Sequence, residues 1–164
     1  MFRIFNPRQT VLVSVTAETD ILGKTKEKNN LIALDWHTPL SFDPMLYAIS
    51  VGKNRHSLEL IREAGVFAIN FMSFSHKNQV LECGRKTGLK IDKFKETGLN
   101  PVHCNKIDCV RVGEALAHME CEIINEIEVG DHILFIGKVV YSMEHHKGKR
   151  LFHLSKDDFT TTED

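Results

Sequence analysis

No stretch of this sequence approaches the roughly 18 consecutive apolar residues that a bilayer-spanning helix requires. The opening "MFRIFNPRQT" lacks the long apolar core of a secretory signal. Neither a membrane span nor export is expected, and the cytoplasm is the default location. An excess of one charge sign is missing too: 21 Lys and Arg face 22 Asp and Glu, scattered rather than banked, for a formal net charge of −1. That balance offers no footprint for nucleic acid or an acidic membrane surface. Cysteine is scarce, and Cys83, Cys104, Cys109 and Cys121 are too irregularly spaced for a disulfide framework. The nearest metal-like reading is "HCNKIDC", with His103, Cys104 and Cys109, joined further on by His118 and Cys121. A structural zinc site would show tighter paired spacing, so reduced thiols in or near the core are expected and no metal. There is no internal repeat, low-complexity segment or linker. No G-x-S-x-G, Walker loop or G-x-G-x-x-G after a strand is present. Nucleophile-driven and P-loop reactions are thereby disfavoured, and no catalytic side chain is assigned.

What is there reads as one soluble domain, spanning 1–164, with a substantial core: 42% hydrophobic and 26% charged residues over 164 positions. "TVLVSVTA" is a short β-branched strand, "ETDILGKTKEKNN" a polar turn region, and "NNLIAL" and "MLYAISVG" two further strands. Between these last two lies "WHTPLSFDP", longer and more apolar than a hairpin turn needs. It is either a buried corner or a wall for something flat. Ser57 can N-cap a short helix whose Leu58, Leu60 and Ile61 face inward and which Gly65 ends. "VFAINF" is a strand, and "SHKNQVLECGRKTG" and "DKFKETG" are short helices separated by Gly88. From Ala115 to Ile127 apolar residues hold the odd positions while His118, Glu120, Glu122 and Glu126 hold even ones, a long strand with one wet face. "VGD" turns it back into "HILFIGKVVYSM". Many adjacent strands with few short helices point to a mainly β, antiparallel barrel with helices at its rim.

Polar residues gather at strand ends. Arg55 and Ser57 at a helix start combine a guanidinium and a hydroxyl with unpaired backbone N–H groups, a setting that suits a phosphate dianion, although such a pair taken alone is more often a capped surface helix with a solvated Arg. Trp36 in isolation is more often a core residue than a ligand plate, and Asn70 pairs as readily with backbone as with a ligand.

The segment "NLIALDWHTPLSFDPMLYAISV" resembles the N-x-x-T-x-S-W-x-T-P-x-S-F-D-P-P region of the flavin reductase-like proteins, nearest to the archaeal and anaerobe branch that includes the flavoredoxins. "RHSLELI", "VFAINF", "CGRKTGLKIDKF", "VGDHILFIGKVV" and "LFHLSKDDFTT" continue the likeness in order along nearly the whole chain. The resemblance implies a Greek-key-like split β-barrel that is a homodimer and binds FMN near the subunit interface. By motif, Asn30, Trp36 and Thr38 would contact the flavin or its ribityl chain, in a joint from Trp36 through Pro39 and Leu40 to Ser41. Arg55 and Ser57 would take the phosphate, and Lys93 a charge reaching phosphate or flavin, from either subunit. Phe159 would cover part of the site, and His132 would meet the substrate at the flavin. Two positions depart from the pattern: Ala33 and Asp35 stand where the family has Thr and Ser.

The implied activity is electron transfer between NADH or NADPH and a flavin or other acceptor, small molecule or protein. Two other readings stand beside it: a flavoredoxin-type FMN electron carrier reduced by a protein partner, and a split barrel that binds something other than flavin.

Overall fold

The computed structural model describes residues 4–162, the side chain of Ile21 excepted. In chain order it contains β1 (Arg8–Gln9), β2 (Val11–Ile21), β3 (Lys24–Leu34), β4 (His37–Phe42), β5 (Met45–Gly52), α1 (Ser57–Ala64), β6 (Val66–Phe71), α2 (Lys77–Arg85), α3 (Lys93–Thr97), β7 (Pro101–His103), β8 (Val110–Val112), β9 (Ala117–Val129), β10 (His132–Glu144), β11 (Phe152–Ser155) and β12 (Asp158–Thr160). Seven strands form one antiparallel sheet in the order β3-β2-β6-β9-β10-β5-β4, while β1-β11-β12 and β7-β8 form smaller ones. This is the expected fold class, an antiparallel split β-barrel with few short helices. Among the described residues no helix is long and apolar enough to cross a membrane.

Burial on both faces explains why "VLVSV" is apolar without alternation. Val11, Val13 and Val15 enter the main core with Phe67, Ile69, Phe135 and the α1 residues Leu58 and Ile61. Leu12 turns the other way, into a second core with Leu31, Met72, Val80 and Phe94 under α2 and α3. Asn70 sits between strands and pins them: its Nδ2 donates to Leu12 O and Ser14 Oγ at 2.9 Å each, and its Oδ1 accepts from Val112 N at 2.8 Å. It is a structural residue.

The structure corrects four local expectations. The polar "ETDILGKTKEKNN" is no open turn region but the tip of a long hairpin, because Leu22 and Gly23 both take positive φ and reverse the chain in two residues. Six of the nine residues of "WHTPLSFDP" are a strand, β4, paired to β5 at the sheet edge with Thr38 opposite Ala48. Ser57 is the first residue of α1 and not its N-cap, which is His56 without a side-chain bond. Gly65 ends that helix as expected, at φ 67° with its N–H on Ile61 O.

The wet face of β9 is dry at its first half. His118 and Glu120 are fully buried. His118 Nε2 donates to Glu120 Oε1 at 2.9 Å, leaving His118 Nδ1 to accept from His145 Nε2 at 2.9 Å. The Glu120 carboxylate also accepts from the N–H groups of Asn105 (2.7 Å) and Lys106 (2.6 Å). A register shift opposite Ile136 and Gly137 then bulges β9, with Asn125 and Ile123 as the flanking partners. Beyond it the faces exchange, so Ile127 and Val129 are exposed while Glu126 meets Arg62 of α1.

Candidate functional site

A cavity of about 160 Å³ opens between the start of α1, the segment following α2, and β3. Asn30 of β3 is buried behind Ser57 and Gly88, which line the cavity, and donates from Nδ2 to Ser57 Oγ at 2.8 Å. Its Oδ1 is buried with no hydrogen-bond partner. Gly88 closes over this oxygen: a Cβ on Gly88 would lie 1.9 Å from Asn30 Oδ1, so only glycine permits the approach. The loop is anchored there by Lys28, whose ammonium donates to Gly88 O.

Lys93 is buried at the start of α3 and donates from Nζ to Leu31 O (2.7 Å) and Cys83 O (2.6 Å). Those bonds use two of its three N–H groups. Burial, with the positive charges of Arg55 and Lys28 adding to it, pulls its pKa down to about 8. His56, on the same cavity, has a buried Nε2 without a partner. Its pKa is lowered by burial and by the charges of Lys28 and Lys93. Arg55, His56 and Lys93 thus line a small space with the Ser57 hydroxyl, Lys28 reaches its edge at Gly88 O, and Arg85 and Lys86 line it while paired with Asp157 and Glu82. The unpaired basic groups suit an anion, and the Asn30 oxygen behind them suits a hydroxyl donor.

Trp36 and His132 meet at the neighbouring rim, with ring centroids 4.7 Å apart and planes inclined by 33°. Trp36 lies just before β4 and is held by Ser50 N donating to its carbonyl at 2.9 Å. His132 opens β10 opposite Gly52, where a Cβ would come within 3.7 Å of His132 Nε2 and 3.6 Å of Arg55 Cγ. Gly52 thus links the rim pair to the cavity through the Arg55 stem. His132 Nδ1 donates to Asp131 Oδ1 at 2.7 Å, which leaves Nε2 directed toward Gly52.

The structure brings Asn30, Arg55, Ser57 and Lys93 together at the cavity and Trp36 with His132 at its rim. Thr38, Pro39, Leu40 and Ser41 instead run along the sheet edge, where Thr38 Oγ1 donates only to Pro39 O, at 3.3 Å. Phe159 packs against the second core and lines an adjoining cavity with Ala33, Asp35 and Gly84. Asp35 turns from the cationic cavity: its carboxylate accepts from Thr10 Oγ1 and His153 Nδ1 at 2.6 Å each. Sequence reasoning passed over His56, Lys28 and Gly88. His56 carried a signal in its place between Arg55 and Ser57, whereas Lys28 and Gly88 reach the cavity only through the fold.

A model of the flavin reductase like domain matches residues 5–161. An uncharacterized protein of Pyrococcus abyssi is 32% identical over 173 aligned positions, spanning 99% of this chain and 95% of its own. Two further curated relatives align over only 65% and 44% of their own length. Among solved structures, an FMN-binding protein from Thermus thermophilus with bound p-hydroxybenzaldehyde superposes with a TM-score of 0.85 at 25% identity, covering 98% of this chain and 89% of that one. The flavoredoxin of Desulfovibrio vulgaris (Miyazaki F) shares the fold with a TM-score of 0.83 at 23% identity, over 96% and 88%.

Proposed function

This chain belongs to the flavin reductase-like family, and from that premise we propose that it is an FMN-binding oxidoreductase passing electrons between a reduced nicotinamide and a flavin or other acceptor. The observation that carries the reading is the cavity of Arg55, His56, Ser57, Gly88 and Lys93 over the unpartnered Asn30 Oδ1. FMN offers a phosphate for the cations and ribityl hydroxyls for the orphaned oxygen. Arg55 and the Ser57 hydroxyl, free to donate while it accepts from Asn30, hold the phosphate. Lys93 adds charge from beneath, and Asn30 orients the ribityl chain. Trp36, with the backbone from Thr38 to Ser41, faces the ring, and Phe159 closes the Ala33 side. Bound FMN supplies the hydride and electron transfer. The chain's part is to bind and orient, so no side-chain nucleophile is needed.

His132 stands at the rim, where a nicotinamide meets the flavin. The same rim favours a homodimer, because Trp36, Leu40, Phe42 and Met45 are exposed along one edge and Phe42 is 96% exposed. A second copy covers that apolar edge and completes the wall of the site. A protein electron donor is the second reading, since this exposed aromatic rim also suits one; steady-state oxidation of NADH and NADPH with free FMN separates the two. The visible spectrum of the purified protein tests the reading itself. A flavin spectrum, or calorimetric binding of FMN, is expected; absence of both, with FAD and riboflavin also failing to bind, overturns it.

A further inference from the structure

The loop "CNKIDC" between β7 and β8 holds two cysteines that the flavin site does not use. Residues 103 and 110 are paired across the two strands, so Cys104 and Cys109 are the next opposing pair, and Cys104 N donates to Cys109 O at 2.9 Å. Directly opposed residues of an antiparallel pair project to the same face with Cα atoms about 4.5–5.5 Å apart. A disulfide spans Cα separations of about 4.4–6.8 Å. Cys109 Sγ donates to Val110 O at 3.3 Å and to Ser14 O at 3.5 Å, and the electrostatics of each thiol are set first by the other. The loop is held in this closed form by Glu120, whose carboxylate accepts from Asn105 N and Lys106 N. Cys104 is half-buried and reachable from solvent, while Cys109 is buried against Ala68 and Ile107.

We propose that Cys104 and Cys109 are a redox-active dithiol that closes to a reversible disulfide when a small hydroperoxide oxidises it. The Cys104 sulfur attacks a peroxide oxygen, the O–O bond breaks, and water leaves as Cys104 becomes a sulfenic acid. The Cys109 thiolate attacks that sulfur, the S–O bond breaks, the S–S bond forms and a second water is released. Two thiols and one hydrogen peroxide thus give one disulfide and two waters, each sulfur losing one electron and the peroxide gaining two. Exposure sets this order, because only Cys104 is open to the peroxide. The Cys109 pKa is lowered and the Cys104 pKa raised, each chiefly by the other thiol, so the pair's one negative charge rests on Cys109. A proton passes from Cys104 to Cys109 as Cys104 attacks, and it leaves with the displaced hydroxide as the second water. Cys83 and Cys121 have no such neighbour, and burial raises their thiols to about 11 and about 12. In a reducing compartment such a bond is transient and sensing rather than structural.

The test is a hydrogen peroxide titration of the purified protein, followed by denaturation, maleimide labelling and peptide mass mapping. Cys104 and Cys109 should vanish from labelling together, at about tenfold lower peroxide than Cys83 and Cys121. They should reappear as one crosslinked peptide lighter by two hydrogens, and dithiothreitol should restore both. Sulfinic acid at Cys104 with Cys109 still labelled would overturn the proposal, as would loss of all four thiols at one rate. In Cys104→Ser, Cys109 should stay labelled through the same dose; equal oxidation of Cys109 without its partner would also reject the pair. The wild-type mapping stands whether or not that variant folds.

Discussion

Two of the buried polar clusters in this fold, one around Glu120 and one around Asn30, differ in how far their hydrogen bonds are satisfied. Glu120 receives two backbone N–H groups and His118, and His118 receives His145 in turn. Among the described residues the Asn30 cluster has an acceptor without a donor and a histidine nitrogen without a partner, and Lys93 and His56 in it feel the positive charge of Lys28. A buried polar group is costly unless paired. The first cluster is complete within the chain and belongs to stability. Among the described residues the second is left incomplete by the chain's own groups, and the binding reading rests on it. Substitutions should therefore separate the two: the Glu120 cluster through unfolding, the Asn30 cluster through binding.

The largest effect is expected at Glu120. Glu120→Ala would leave two backbone N–H groups and His118 buried without their acceptor, a loss of about 3–5 kcal/mol. Urea unfolding would measure it, and the folded fraction should still bind FMN with wild-type affinity. A stable variant with weakened FMN binding would dissolve the distinction between the clusters. Arg55→Ala tests the other side. Removing a charge-assisted bond to phosphate costs about 1.5–3 kcal/mol, so FMN affinity should fall roughly ten- to a hundredfold. Riboflavin, which lacks the phosphate, should be little affected, and unfolding in urea unchanged. Equal losses for the two ligands would mean a structural defect in place of a phosphate contact.

Acid should reveal the Glu120 cluster more gently. The pKa of His118 is lowered, burial being the main cause, and that of His145 is lowered by burial and by the nearby Arg111. Groups whose folded pKa lies below the unfolded value contribute stability that is full above the unfolded value, about 6.5 for histidine. That stability is lost as pH falls from there toward the folded value. The unfolding free energy should thus decline below neutrality, and His118→Gln should flatten the decline. Flavin-free and FMN-loaded protein should share that part of the decline, because His118 and His145 do not line the Asn30 cavity. A decline abolished by FMN would place the titrating groups at the cavity instead.

Much of this was legible in the sequence, and the misreadings have a physical pattern. Periodicity located six of the seven strands of the main sheet, because burial of one face writes itself into alternate residues, but it missed β4 and the five short strands of the smaller sheets. It failed at β9, where His118 and Glu120 look wet by residue type but are dry through mutual pairing and two N–H groups from a distant loop. The bulge opposite Gly137 then exchanged the faces, which no local pattern announces. The segment from Lys24 to Asn29 read as turn because it is polar on both faces, and only the two positive-φ residues Leu22 and Gly23 make it a hairpin arm. At the site, Arg55 and Ser57 were visible as a helix start. Gly88 read as a helix break, while its closer use is steric, beneath Asn30 Oδ1.

The smallest expected effect on binding is at His132, where the rim adjoins the Asn30 cluster without completing it. Its ring lies tilted against Trp36, and its Nδ1 is engaged by Asp131 at 2.7 Å, so Nε2 is the nitrogen left for an incoming group. None of the polar contacts at the cavity involves it. His132→Ala should therefore leave FMN affinity within about threefold, a change below one kcal/mol. A nicotinamide approaching the flavin would lose a hydrogen-bonding partner and one face of a ring pair. Flavin reduction should then slow at saturating nicotinamide, or require a higher nicotinamide concentration. Stopped-flow bleaching of bound flavin reads both quantities. Wild-type rates with unchanged nicotinamide dependence would make His132 an ordinary residue beside a turn. Loss of flavin from the variant would move it into the binding cluster, and the boundary drawn between cavity and rim at Gly52 would have to shift with it.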